Sequence, residues 1–178
     1  MRSSGSYAPD GDAVRVVNKF TANDLRNADV VVTGRRSTRM RTNELIRRAH
    51  GITSPLPLMG EPLVCLRNAQ RYGLCNGAVY YASRDLQEDD KTVGISTDNG
   101  DIEVHAQCLR PGHEYDKLDF PWWMTAFAFG YGLTVHMAQC SEFDKVLLID
   151  EWSGDDCIPW LYTGITRAAK RITIARRS

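Results

Sequence analysis

The sequence contains no Gly-Lys dipeptide, and therefore no G-x-x-x-x-G-K-[ST] loop, whose backbone and lysine cradle the phosphates of a nucleotide. That absence excludes a self-sufficient nucleotide site of the P-loop type. No stretch approaches the roughly 18 uninterrupted apolar residues that a membrane-spanning helix needs, and the opening Met1-Arg2-Ser3-Ser4-Gly5 has no apolar run of the signal-peptide kind. No C-x-x-C pair occurs among the five cysteines, whose odd number and wide spacing argue against a disulfide framework and a zinc site. Net charge is also missing, with 22 basic side chains against 22 acidic ones. No global field draws this chain to nucleic acid or an anionic membrane, so any such contact must be local. The expectation is a soluble protein of a reducing cytoplasm, with no membrane partner and no resident metal.

What is present is ordinary globular material: 178 residues, 43% hydrophobic and 25% charged, enough for one real core with a small subdomain. Residues 1–13, rich in Ser, Gly, Asp and Pro, read as a disordered tail. The β-branched run 28–34 ends in Gly34 and predicts a strand. Residues 38–50, with Met40, Leu45, Ile46 and Ala49 at helical spacing, predict the helix that follows. From Ser54 the texture changes to Pro55-x-Pro57 punctuation and short β-rich runs at 62–66, 78–82, 92–96 and 102–105, separated by Asn76-Gly77 and Asn99-Gly100 turn signals. This pattern predicts a small antiparallel barrel. The α/β rhythm then returns with a segment at 131–140, a buried strand at 145–150, a helix at 158–170 capped by Asp155 or Asp156, and a strand at 171–175. The fold class is α/β, a mostly parallel sheet interrupted by the barrel. The expected division is a lobe at 14–54 and 119–178 with an insert at 55–118.

Two stretches carry chemistry. Gly130-Tyr131-Gly132-Leu133-Thr134-Val135-His136-Met137-Ala138-Gln139-Cys140-Ser141-Glu142 resembles motif V of superfamily 1 helicases of the RecD-like, phage Dda-like branch, whose usual form is close to G-Y-A-x-T-x-H-K-x-Q-G-S-E. Twenty residues on, Tyr162-Thr163-Gly164-Ile165-Thr166-Arg167-Ala168 resembles motif VI, Y-T-A-x-T-R-A. Upstream, Thr33-Gly34-Arg35-Arg36-Ser37-Thr38-Arg39, followed by Asn43 and Arg47, resembles motif IV, and residues 60–68 with Leu74-Cys75-Asn76-Gly77 resemble the family's barrel. The resemblance covers about residues 28–176 and implies a RecA-like second motor lobe of the P-loop NTPase type.

That resemblance implies roles by position. Arg167 is the arginine finger: a permanently cationic planar fork stabilises charge on a γ-phosphoryl group from across a cleft, and such fingers contribute ~10³ to 10⁵ in rate, about 4 to 7 kcal/mol. Arg39 is a second phosphate contact. Gln139 and Glu142 fall to the nucleotide, Glu142 through the sugar hydroxyls. Thr134, His136 and Asn68 fall to the DNA strand, and of the aromatic residues Phe120, Trp122 and Trp123, Trp122 is the candidate to stack on an unpaired base. ATP with Mg2+ is the implied cofactor, the metal being held by an N-terminal lobe with the phosphate-binding loop. Single-stranded DNA and that lobe are the implied partners, and the chain by itself is expected to be inactive.

Blander readings stand beside these. An arginine near a helix end also complements the helix dipole, a lone histidine is commonly a core residue, and the arginines at 41 and 48 fit a solvated helix face. Met137 replaces the usual Lys and Cys140 the usual Gly, departures that favour a non-catalytic nucleic-acid- or protein-binding module as the alternative. The run 146–151 mimics a Walker B strand, but without the phosphate loop Asp150 and Glu151 read as structural or DNA-coupling residues.

Overall fold

The computed structural model describes residues 13–108, 124–139, 141–151 and 157–176. The expected tail up to residue 12, the three aromatics at 120, 122 and 123, Cys140 and both candidate caps Asp155 and Asp156 lie outside them. In chain order the elements are β1 (Val14–Val17), α1 (Ala22–Asn27), β2 (Val30–Thr33), α2 (Arg36–Ala49), β3 (Pro62–Cys65), a 3₁₀ turn (Gln70–Tyr72), β4 (Val79–Ala82), β5 (Thr92–Thr97), β6 (Gly100–Cys108), β7 (Thr125–Phe129), β8 (Gly132–Thr134), β9 (Phe143–Asp150), α3 (Cys157–Ile165) and β10 (Ala168–Arg176). They form two compact units, residues 1–42 with 132–178 and residues 43–131.

The first unit is built on a five-stranded sheet ordered β1-β10-β9-β2-β8, with every neighbouring pair parallel. All four residues of β2 are buried, and so are Val146, Leu147 and Leu148 of β9 beside it. Continuous burial is what a central parallel strand requires, and it explains why these runs read as unbroken aliphatics rather than alternating patterns. Two elements of this unit escaped the sequence reading. β1 pairs with β10 from Val14↔Ile172 onwards, and α1 is a six-residue helix opened by a capping box between Thr21 and Asp24.

The helix expected at 158–170 stops at Ile165, and β10 starts at Ala168 rather than at 171. Partnership decides the boundary: Ala168 pairs with Phe143 across a bulge before regular pairing resumes at Arg171↔Lys145, so ladder bonds claim residues whose own propensity is helical. Gly164 sits so close to β9 that an added Cβ would stand 2.9 Å from a Leu148 methyl.

The second unit is a closed barrel of β3-β4-β5-β6-β7. Leu63, Val93, Ile95, Val104, Phe127 and Phe129 fill it, each large side chain contributing about 1.5–3 kcal/mol of burial. Both expected turns are present, with Gly77 at φ 85° and Gly100 at φ 106°, conformations that glycine adopts without a Cβ penalty. The barrel departs from expectation in one strand. β7, assigned to the lobe from sequence, closes the barrel by pairing parallel with β6 and antiparallel with β3. The unit therefore runs to residue 131 instead of ending at 118. A parallel pair needs a connection of about a dozen residues or more, and the chain between Cys108 and Thr125 has that length.

Candidate functional site

The first unit gathers most of the candidate residues around one turn. After β8, residues 135–139 make a single helical turn in which Ala138 N donates to Thr134 O at 3.0 Å and Gln139 N to His136 O at 3.4 Å. An isolated turn has no cooperative stability of its own, so its shape depends on what caps it. At its start the Thr134 hydroxyl accepts from Met137 N at 3.4 Å. At its end Arg167 donates from Nη1 to the carbonyls of Ala138, Gln139 and Ser141. The same side chain donates from Nε to Thr163 O at 3.1 Å and from Nη2 to the Thr166 hydroxyl at 2.9 Å. Every guanidinium nitrogen of Arg167 is thus engaged within its own unit. His136 and Gln139, three residues apart on the turn, are exposed.

Arg39 approaches the same turn from α2. It is 7% exposed, and its Nη1 donates to the Met137 thioether at 3.0 Å, a weak acceptor. Its Nε is buried without a hydrogen-bond partner. Burial, and secondarily the neighbouring Arg36, lower its proton affinity. A buried guanidinium with no carboxylate partner among the described residues is an expensive arrangement unless something anionic completes it. Met137 and Arg39 also explain each other: a lysine at 137 would set a second cation against this one, whereas the thioether tolerates it. The close approach extends to the backbone, because a Cβ on Gly132 would stand 3.2 Å from Arg39 O. Gly132 and Gly164 both occupy positions where the helicase motifs have Ala.

Glu151 has a structural task. Its carboxylate accepts from Gly34 N at 2.9 Å, Arg35 N at 2.7 Å and the Thr38 hydroxyl at 2.6 Å. It thereby satisfies orphan donors at the start of α2 and places a negative charge at the positive end of that helix. The anion site that a helix N-terminus offers is filled here by the protein itself. Among the described residues no group of three or more His, Cys, Asp or Glu is placed to hold a metal.

The remaining candidates are dispersed. Glu142 is exposed just before β9, between residues whose backbones are tied to Arg167, since Phe143 N donates to Arg167 O at 2.9 Å. Asn68 belongs to the barrel unit, where it is exposed and its Oδ1 accepts from Asn76 N at 2.7 Å, fastening the loop before β4. Trp122 lies outside the described residues. Arg41 and Arg48 are exposed on α2, the solvated face expected of them. Sequence reasoning missed that Met137 is the partner of Arg39 and that Arg167 closes the motif V turn, because both are contacts between segments far apart in the chain.

No curated protein matches the chain. Residues 129–175 match the UvrD-like helicase C-terminal domain. Among solved structures the chain is similar to the Pif1 helicase from Bacteroides in complex with ADP-AlF3 and single-stranded DNA, at 15% identity, over 88% of this chain and 44% of that one, with a TM-score of 0.55. The Pif1 helicase from Candida albicans is similar at 14% identity, over 86% of this chain and 48% of that one, with a TM-score of 0.53. The chain shares its fold with part of these Pif1 helicases, and its residues 129–175 are similar to the UvrD-like helicase C-terminal domain. It spans less than half the length of these Pif1 structures. At such identities the likeness is one of fold, and the assignment of individual residues rests on the geometry around the motif V turn.

Proposed function

We propose that the chain works as the second motor lobe of an ATP-dependent DNA helicase, completing a nucleotide site whose phosphate loop and Mg2+ lie on another lobe. The observation that supports this most is Arg39, a buried cation with no carboxylate partner among the described residues, beside the turn that carries the motif V residues. A triphosphate is the anion that motif VI, with Arg167, would bring to the same place. Arg39 and Arg167 would grip the phosphates, and the exposed Glu142 is free to accept from the sugar hydroxyls. His136 and Gln139 stand outward on the turn that Thr134 caps, and His136 would meet a single DNA strand; Asn68 and Trp122 are further proposed contacts to DNA. The RecD-like, phage Dda-like affinity rests on the form of motif V.

The test is reconstitution with a candidate N-terminal lobe. DNA-stimulated ATPase activity should appear on mixing and fall about 10³-fold in Arg167→Ala. Robust DNA-stimulated hydrolysis by the chain alone would sink the reading. A second reading, a binding module without catalysis, is favoured by the complete engagement of Arg167 within its own unit. Its signature is salt-dependent DNA binding with no ATPase in any mixture.

A further inference from the structure

Arg167 does something in this structure that a phosphate contact does not require. A single helical turn presents carbonyls at its end, and here those of Ala138, Gln139 and Ser141 converge on one guanidinium nitrogen, Ala138 O accepting also from Ser141 N at 3.1 Å. Nε and Nη2 are fixed to Thr163 and Thr166, so the fork cannot swing without breaking its own anchorage. We propose that Arg167 is a positioning residue for the turn that presents His136 and Gln139, and that phosphate competes with the turn's carbonyls for the same guanidinium. This deepens the motor-lobe reading and rests on it for the DNA consequence, whereas the positioning role needs no ligand.

The competition follows from hydrogen-bond strength. A phosphate offers the guanidinium a full negative charge and bidentate acceptors, which neutral carbonyls do not, so an incoming phosphate draws the fork away and leaves the turn with the Thr134 hydroxyl as its remaining side-chain cap. The exposed pair His136 and Gln139 then loses its fixed presentation. Nucleotide state would reach His136, the proposed strand contact, through one side chain, over the span of one helical turn. Lysine cannot reproduce this, because a single ammonium lacks the planar array that serves Thr163, Thr166 and the turn together.

Hydrogen exchange on the 178-residue chain tests the positioning role without nucleotide or DNA. In Arg167→Ala the amides of Ala138, Gln139 and Ser141 should exchange about tenfold faster, with the amides of Val146, Leu147 and Leu148 in β9 unchanged as the control for folding. Arg167→Lys should fall between, and it carries the test if the alanine variant does not fold. Unchanged exchange at the three turn amides, in a variant whose β9 stays protected, overturns the proposal.

Two further readouts separate positioning from mere stability. Inorganic tripolyphosphate, its binding followed by calorimetry, should speed exchange at the three turn amides of the wild-type chain. Binding that leaves them protected, or no binding at millimolar concentrations, overturns the competition. In a double-mutant cycle on oligo(dT) affinity, Arg167→Ala and His136→Ala should be non-additive, and additive losses overturn the action through the turn. If the wild-type chain binds no oligo(dT), the motor-lobe reading fails while the exchange result still decides the positioning role.

Discussion

Two arginines eight residues apart on α2, both buried, have opposite surroundings. Arg47, in the barrel unit, makes a paired contact with Glu61, from Nε at 2.7 Å and Nη2 at 3.0 Å. It also donates to the carbonyls of Ser54 and Leu56 and stacks 4.1 Å over the Phe129 ring. Glu61 is completed by Leu58 N and the Tyr131 hydroxyl, and burial followed by that carboxylate pushes the Tyr131 phenol well above its ordinary range. Arg39, in the first unit, has a thioether and an orphaned nitrogen. Burial alone therefore says little about a cation's purpose. One whose donors are all answered from within is a staple, and one left incomplete is a socket.

The comparison can be broken at either end. Arg47→Ala should have the largest effect, about 3–5 kcal/mol of lost stability, because it strands Glu61 in the interior. Urea denaturation of the chain measures it, and a loss below about 1 kcal/mol would remove Arg47 from the role of staple. Arg39→Met should leave stability within about 1 kcal/mol of wild type, or raise it, since it deletes an uncompensated buried charge. In the reconstituted motor the same change should lower ATPase activity about 10²-fold, as loss of one preorganised donor does. A stability loss comparable to that of Arg47→Ala, with activity retained, would make Arg39 a second staple. The smallest effect belongs to Glu151→Gln, about 1 kcal/mol from weaker capping of α2. Reconstituted ATPase should survive that change, whereas a metal-holding acid would abolish it.

The sequence was legible where a pattern is local. The aliphatic run of β2, the Asn-Gly turns of the barrel and the apolar strand β9 could be found from neighbouring residues alone, and the ordered motifs V and VI led to the region similar to the UvrD-like helicase C-terminal domain. The reading failed where a partner far along the chain sets the outcome. Of the predicted apolar stripe of α2, Ile46 is buried but Leu45 is 38% exposed, whereas the polar Arg39, Thr42, Asn43 and Arg47 are buried. The buried positions keep helical spacing, but the inward face is largely polar, so hydrophobicity found only part of it. β1 was invisible because a four-residue edge strand has little signal without its neighbour β10. β7 went to the wrong unit because its sequence is as apolar as a parallel strand of the lobe.

By itself, then, the sequence determined the fold class, the presence of an inserted barrel and the identity of the motif residues, because each depends on side chains within a few positions of one another. The tertiary structure alone decided which charges are answered. That Glu151 closes α2, that Glu61 neutralises Arg47, and that Arg39 is left with Met137 while Arg167 holds the motif V turn are all matters of distance between remote segments. Hydrogen bonds and buried charges are governed by ångströms in space, which no spacing along the chain encodes.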